Sequence, residues 1–211
     1  MIELLLLALQ SAQQPKAFIM PPKAAEVAGP IGQAEISPLF RQPFMCSEHF
    51  AGQIPYAGDA LGTDCYVMAG VEGVSGFMRP FRTDGAANAD WFGWRAEVLS
   101  PADGMIVGVI ENKVENPPGR LGRPPAGMIQ IRRADDVLVT VAHITDPEVK
   151  VGDSVTAGQL IARVGNNGFG RAPHIHIGAY RLATAEPLQI RWDLRAMARL
   201  QTGEGGDRSA K

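Results

Sequence analysis

Two histidines stand one residue apart in the stretch 172–178, which reads APHIHIG. Side chains at positions i and i+2 of a β-strand point to the same face, so His174 and His176 would lie side by side on one face if the stretch is extended. Two imidazoles placed in this way can supply a ligand to a transition metal and a general base beside it. The pair is equally compatible with two polar residues on the wet face of a surface strand, so other residues must decide.

A third histidine, His143, closes the apolar run VLVTVAHI. On an extended strand it shares a face with Val139 and Val141. A catalytic zinc site usually keeps three protein ligands and an open position for water, with a further group nearby that moves protons. Three imidazoles on neighbouring strands therefore predict a metal centre whose remaining ligands must come from elsewhere in the chain.

The segments that would position these histidines are short and apolar from residue 96 onward. They read AEVLSP, GMIVGVI, GMIQIRR, VLVTVAHI, QLIARVG and HIHIGAY, and turns such as ADG, ADD and TAG separate them. This pattern predicts an all-β array, either a sandwich or a barrel. The stretch WDLRAMARL, with Asp193 as a candidate N-cap, predicts one closing helix. The long Pro- and Gly-rich interval 111–127 predicts an irregular loop that could wall a groove.

The ordered series VAHI, VKVGDSVTAGQLIARVGNNG and APHIHIG resembles the lysostaphin-like (LytM-type) zinc metalloendopeptidases, which cut peptide cross-links of bacterial peptidoglycan. Upstream, EVLSPADGMIVGV is similar to the strand P-V-x-A-x-x-D-G-x-V of that family. The resemblance covers about residues 84 to 180. It implies a mainly β duplicated hybrid motif, which is a barrel-sandwich type of antiparallel β domain, with an irregular N-terminal extension and a short C-terminal helix.

The resemblance also implies roles for the three histidines. His176, the second histidine of the pair, would be a ligand of Zn²⁺. His174 and His143 would orient and deprotonate the attacking water and stabilise the tetrahedral intermediate.

The first ligand motif of the family, H-x-x-x-D, is degenerate in this sequence. Counted from Val98, its aspartate corresponds to Asp90, a predicted metal ligand, and its histidine to Ala86, which cannot bind a metal. Residues that could replace the missing histidine are Asp84, Asn88, Asp59, Asp64 and His49. Asp84 and Asp90 can equally be ordinary turn residues, since aspartate is common in turns.

The predicted activity is zinc-dependent hydrolysis of amide bonds in peptidoglycan peptides, by a cell-wall hydrolase whose substrate is peptidoglycan or a peptide from it. The missing ligand leaves a second interpretation open: a catalytically degenerate member of the same fold that binds peptidoglycan or regulates a partner cell-wall hydrolase. A lipoyl-type carrier would need an exposed hairpin lysine, and no lysine lies between Gly152 and Tyr180. A cysteine hydrolase is also disfavoured, because no helical pattern follows Cys65.

The composition restricts the setting in which such a site would work. The chain has 211 residues and a formal net charge of −2, which gives no broad cationic surface for nucleic acid. The apolar run in MIELLLLALQSAQQ is too short to span a bilayer and is typical of a weak export signal, so we expect a periplasmic or extracellular protein. Cys46 and Cys65 would pair in an exported protein and would remain two thiols in a reducing cytosol.

These observations predict a division of the chain into five parts. Residues 1–14 form a signal-like segment, and residues 15–39 a linker or pro-segment outside the core. Residues 40–83 form an irregular N-terminal subdomain that could cover the groove. Residues 84–202 form the lysostaphin-like peptidase domain, and residues 203–211 a disordered tail.

Overall fold

The computed structural model describes residues 18–70 and 77–202. The predicted signal-like segment 1–14 and tail 203–211 lie outside the described residues. The elements are β1 (Gln33–Ile36), β2 (Phe44–Glu48), β3 (Thr63–Val67), β4 (Glu97–Leu99), β5 (Gly104–Ile110), β6 (Met128–Arg132), β7 (Val137–Ala142), β8 (Ile144–Thr145), β9 (Ser154–Val155), β10 (Leu160–Val164), β11 (Ile175–Arg181), β12 (Pro187–Trp192) and α1 (Leu194–Thr202). The predicted fold class, mainly β with a short C-terminal helix, is confirmed.

Two sheets organise these strands. The larger sheet has the order β1-β12-β11-β7-β6-β5-β9, and its strands are antiparallel except for β1, which runs parallel to β12. Strand β3 pairs with the N-terminal part of β11, and β2 pairs with β3. The smaller sheet has the order β4-β10-β8. The strand that carries the His-x-His pair is therefore flanked by β7 on one side and by β3 on the other.

The main core lies on one face of the larger sheet and includes side chains of both sheets. Ile175 and Ile177 of β11 are fully buried in it, together with apolar residues of β6, β7 and β10. Burying each isoleucine side chain contributes about 1.5–3 kcal/mol to stability. Because side chains alternate along a strand, the two isoleucines direct His174 and His176 to the opposite face. The alternation predicted for the His-x-His pair is therefore present.

Residues 15–39 were expected to lie outside the core, and the structure differs. Strand β1 pairs with β12, and Ala34, Ile36 and Leu39 are buried among the core residues. A four-residue strand of this kind has no local pattern of its own, since it is stabilised by a partner more than 150 residues away in the sequence. Strands β2 and β3 likewise belong to the larger sheet, so this part of the predicted N-terminal subdomain is continuous with the main body.

Helix α1 begins where the sequence predicted. The carboxylate of Asp193 accepts hydrogen bonds from the backbone N–H groups of Arg195 (2.8 Å) and Ala196 (2.9 Å). This is the geometry of an N-cap side chain, which satisfies amides that have no partner within the helix.

An extended segment, residues 18–25, lies on the face of the larger sheet opposite the main core. The side-chain amide of Gln130 on β6 accepts a hydrogen bond from the N–H of Ile19 and donates one to its carbonyl, each 2.7 Å long. Pro22 and Ala24 are hydrogen-bonded to Ala57 and Pro55 of the loop that precedes β3. The segment therefore holds this loop against the sheet.

The same loop packs directly on β11. A Cβ atom at Gly178 would overlap the carbonyl oxygen of Gly58, so only glycine permits this approach. The contact places Asp59 at the edge of the face that carries His174 and His176.

Candidate metal centre

Strand β3 brings an aspartate to the His-x-His pair. Asp64 lies directly opposite His176 in the register of β3 and β11, and the two side chains are 3.0 Å apart at Nδ1 and Oδ1. On the other side of the ring, Nε2 of His176 lies 3.0 Å from Oδ1 of Asp59. This second contact lacks the direction of a hydrogen bond, and the buried Nε2 has no hydrogen-bond partner among the described residues.

His49, just after β2, completes a group of three possible ligands. Its ring stacks on that of His176 with 5.1 Å between the ring centres, and its Nε2 lies 3.6 Å from Oδ2 of Asp64. The N–H of His49 donates to the carbonyl of Gly62, which fixes the residue against the start of β3. Possible ligand atoms of His49, Asp64 and His176 all lie within 4.8 Å of one another.

Gly62 leaves space for the imidazole ring of His176. A Cβ atom at Gly62 would stand 2.6 Å from Cε1 and 2.9 Å from Nε2 of His176. Any larger residue at position 62 would push the imidazole out of its place. Gly62 also stands two residues before Asp64, and Ala60 stands four residues before it.

The electrostatics of this group favour a cation. Burial alone would lower the pKa of His176, but the carboxylates of Asp59 and Asp64 raise it to about 9. Burial would raise the pKa of Asp64, but the hydrogen bond with His176 and the charges of the nearby histidines hold it well below its usual value. Two carboxylates thus face His176, and both attract positive charge.

His143 and His174 form a second pair beside the group, with 4.5 Å between their ring centres. Nδ1 of His143 lies 2.8 Å from the carbonyl oxygen of Asn167, and Nδ1 of His174 lies 2.7 Å from that of Ala172. A carbonyl can only accept, so each imidazole carries its proton on Nδ1. Each Nε2 is then left with a lone pair that can accept a proton.

The backbone of His143 departs from the predicted strand geometry. Val139 and Val141 face the core, and the expectation that His143 shares their face is wrong. His143 has a left-handed φ of 63°, which ends the alternation of β7 and lets the ring approach His174. Such a conformation is uncommon for a residue other than glycine and is typical of functional sites.

Burial also sets the charge state of this second pair. It lowers the pKa of His143 to about 3, and the charges of His174 and His176 act in the same direction. Burial lowers the pKa of His174 as well, and the attraction of Asp64 offsets only part of this effect. Both imidazoles are neutral at physiological pH and can serve as proton acceptors.

Asn167 is a functional residue that sequence reasoning missed. Besides receiving the His143 hydrogen bond on its carbonyl, its side chain accepts one from the N–H of Gly127 and donates one to the carbonyl of Ile144. It therefore links His143 and the following residue Ile144 to Gly127, which precedes β6. The signal was present as the VGNNG turn, but nothing in a turn sequence indicates which histidine it contacts.

The structure does not bring Asp90 to the cluster around His176. Its carboxylate accepts hydrogen bonds from the backbone N–H and hydroxyl of Thr83 and from the N–H of Gly85. Asp84 accepts a bond from the N–H of Ala86. These donors satisfy the carboxylates within one turn, which is the turn chemistry that the sequence left open.

Of the other candidate metal ligands, Asn88 does not belong to the group around His176. Asn88 is hydrogen-bonded to Asn116 and Asn166 and serves to join two loops. Asp64 and His49 lie in the group with His176, and Asp59 lies beside it. The candidate residues that lie near His176 are therefore found at positions 49–64, upstream of the motif position predicted by spacing.

A disulfide joins the two strands that carry these residues. Cys46 and Cys65 are directly opposite in the register of β2 and β3 and form a disulfide bond. The pairing expected for an oxidising compartment is therefore present in the structure. It fixes the strand that precedes His49 against the strand that carries Asp64.

Comparisons with known proteins place this site in a family context. Residues 91–188 match the model of peptidase family M23. The catalytic domain of a point mutant of the prophage-encoded M23 protein EnpA from Enterococcus faecalis is 19% identical, covers 72% of this chain and 93% of its own, and has a TM-score of 0.45. A comparison with curated protein sequences gives no significant match.

Two further solved structures have similar sequence identities and TM-scores. The catalytic domain of the antimicrobial peptidase lysostaphin from Staphylococcus simulans is 19% identical over 68% of this chain and 88% of its own, with a TM-score of 0.40. A zinc-containing peptidase from Vibrio cholerae is 20% identical over 71% of this chain and 38% of its own, also with a TM-score of 0.40. The matched segment holds His143, His174 and His176, and residues 91–188 of this chain are similar to peptidase family M23.

Proposed function

We propose that this chain is a zinc-dependent endopeptidase that hydrolyses amide bonds in peptidoglycan peptides. The observation that carries the proposal is the group of His49, Asp64 and His176 next to two neutral histidines. Two imidazoles and one carboxylate are a common donor set for catalytic zinc. Nδ1 of His176 lies 3.0 Å from Oδ1 of Asp64, on the side of the ring where one ion could contact both residues.

In this proposal His49 takes the place of the missing motif histidine. Asp64 and Ala60 have the spacing of the family's H-x-x-x-D motif, with alanine where the histidine belongs. His49 directly follows the neighbouring strand β2, and its ring reaches the same region, which preserves a donor set of two histidines and one aspartate. Asp59 provides a further carboxylate at 3.0 Å from His176.

The residues around the group supply the proton chemistry. Bound zinc would polarise the scissile carbonyl and favour ionisation of the attacking water. The Nε2 atoms of His143 and His174 accept the proton and return it to the leaving amine. Asn167 and Ala172 hold both imidazoles in the tautomer that this requires, and Tyr66 stacks on His174 and limits its rotation.

Digestion of purified peptidoglycan tests this proposal through the release of new amino groups. We expect release by the zinc-loaded chain and a decrease of about a hundredfold or more in His143→Ala, the range typical of losing a general base. Asp84→Asn, which lies outside the cluster, should retain the activity of the unaltered chain. The absence of new amino groups with zinc present, or full activity in His143→Ala, would contradict a peptidase.

A second candidate is a member of the same family that binds peptidoglycan, or regulates a partner hydrolase, without cutting. The observation that favours it is the contact of His176 with two carboxylates, which can satisfy their charge as an ion cluster without a metal. Co-sedimentation with insoluble peptidoglycan distinguishes the two functions. Binding without release of amino groups, at any zinc concentration, would support this second function.

Both functions place the protein where peptidoglycan is found, in the periplasm or outside the cell. The disulfide between Cys46 and Cys65 supports export, because such bonds persist in oxidising compartments. No helix within residues 18–70 and 77–202 has the length and hydrophobicity that crossing a membrane requires.

A further inference from the structure

The loop of residues 111–127 is anchored by a buried asparagine. The N–H of Asn116 donates to the carbonyl of Asn166 (2.7 Å), and its side-chain amide donates to the carbonyls of Gly168 and Gly170 (2.9 Å each). A Cβ atom at Gly122 would overlap the side chain of Asn116. The loop is therefore fixed to the turn that follows β10.

This anchoring places the loop next to the catalytic pair. The N–H of Gly119 donates to the carbonyl of Arg171 (2.7 Å), and a Cβ atom at Gly170 would lie 3.3 Å from Nδ1 of His143. Between the loop and Gly168 lies an open cavity of about 700 Å³. The cavity is lined by the loop and by Gly168, which stands two residues before Gly170.

The charges along this cavity are unbalanced. Its two glutamates have partners, because Glu111 pairs with Lys113 and Glu115 pairs with Arg95. Arg120 and Arg123 also line the cavity, and neither forms an ion pair with any residue that the structure describes.

A third arginine, Arg171, stands where the loop meets the turn that leads to the His-x-His strand. It is exposed and likewise has no ion pair within the described part of the chain. On the other side of His174, by contrast, Asp59 and Asp64 carry negative charge. A bound peptide would therefore meet a cation-binding group at one side of the site and free guanidinium groups at the other.

We propose that Arg120 and Arg123, with Arg171 at the rim, bind a free carboxylate of the substrate peptide. Guanidinium groups pair with carboxylates through two parallel hydrogen bonds, which gives both affinity and orientation. The inference rests on the proposed function, and it narrows the substrate to anionic peptides. A peptide bond lying at His143 and His174 would place a carboxylate of a neighbouring residue on the loop.

A pair of matched peptides tests this site by binding. The first probe is a synthetic stem-type peptide, L-Ala-γ-D-Glu-L-Lys-D-Ala-D-Ala, with its free carboxylates. The second is the same peptide with both carboxylates amidated. By isothermal titration calorimetry we expect the acid form to bind the full chain about tenfold or more tightly than the amide form, as charge-assisted pairs typically allow.

Two variants test which residues cause the preference for the acid form of the peptide. The double variant Arg120→Gln/Arg123→Gln should lose most of the preference for the acid form, since it keeps polar side chains at both positions and leaves only the charge of Arg171. Arg195→Gln, an exposed arginine on α1, is the matched control and should keep the preference for the acid form. Raising the salt concentration should reduce the preference for the acid form.

The same titration in His176→Ala separates this inference from the peptidase proposal. Binding does not need hydrolysis, so the preference should survive in His176→Ala even if the wild-type chain cuts nothing. Equal affinity for the two peptides, no binding of either at millimolar concentrations, or an unchanged preference in the double variant would overturn the carboxylate site.

Discussion

His143 is held neutral in the folded chain, and this has a consequence for stability. Its pKa falls from the usual 6.5 to about 3 because the ring is buried and lies near His174 and His176. Below pH 6.5 the unfolded chain therefore binds a proton that the folded chain does not. As the pH falls from 6.5 to 3, the free energy of unfolding should decrease by about 1.4 kcal/mol per pH unit from this residue alone.

Urea unfolding at several pH values, with His143→Gln as the comparison, measures this contribution. The variant lacks the titrating ring, so its stability should depend less on pH in that interval. Parallel pH curves for the two proteins would show that His143 is not held neutral by the fold.

Gly62 determines the place of the His176 ring. Gly62→Ala puts a methyl group 2.6 Å from Cε1, so the ring must move or the strand must shift. We expect a loss of about 1–3 kcal/mol in unfolding free energy, as for other overpacked sites, together with weaker zinc binding. Gly29→Ala is the control, because a Cβ atom there contacts nothing within 4 Å. Unchanged zinc binding in Gly62→Ala would contradict the role of His176 as a ligand.

At the level of single residues, the sequence predicts the histidines better than their partners. His174 and His176 are recognisable because a strand puts positions i and i+2 on one face, a local rule. Asp64 lies 112 residues before His176, and only the pairing of β3 with β11 brings them together. Counting back from Val98 led to Asp90 because spacing along the chain carries no information on which strands pair.

At the level of elements, the β2-β3 pair with its disulfide carries the upstream half of the site. Removing the bond in Cys46→Ala/Cys65→Ala releases a closed loop of about 20 residues, so unfolding free energy should fall by about 3 kcal/mol. Because His49 directly follows one of the linked strands and Asp64 lies on the other, zinc affinity should fall as well. Urea unfolding and a zinc titration of the double variant measure both effects. Unchanged zinc affinity would show that the strands hold the site without the bond.

Elements that the sequence predicted share a strong local pattern. Strands β5, β6, β7, β10 and β11 are runs of β-branched residues between turns, and α1 has its N-cap at Asp193. Strands β1 to β3 are short, and their stability comes from partners far away in the sequence. Their positions could not be predicted by periodicity, since four or five residues contain too few repeats.

At the level of the whole molecule, the boundary expected at residue 84 divides the site. His49, Asp59 and Asp64 lie before it, and His143 and His176 lie after it. We therefore propose that residues 40–83 are a structural part of the peptidase unit and supply its ligands. A segment that only covered the groove could be removed without disturbing the sheet. This segment instead includes strand β3, which pairs with β11.

A fragment of residues 84–202 tests this proposal. It lacks β1 to β3 and two of the three ligands, so we expect it to bind no zinc under conditions in which the full chain does. Metal content after dialysis and circular dichroism of both proteins give the comparison. A folded fragment that binds zinc as tightly as the full chain would show that the upstream residues are dispensable.

Zinc content measured by plasma mass spectrometry is the most direct test of the metal centre. The full chain, purified without chelators or a His tag, is compared with the variants Asp64→Asn and Asp90→Asn. Asp64 is the ligand that the structure favours, and Asp90 is the ligand that spacing along the sequence favoured. We predict near-stoichiometric zinc in the wild type and Asp90→Asn and its loss in Asp64→Asn. Zinc retained in Asp64→Asn, lost in Asp90→Asn, or absent from the wild type after zinc is added would contradict the proposed centre.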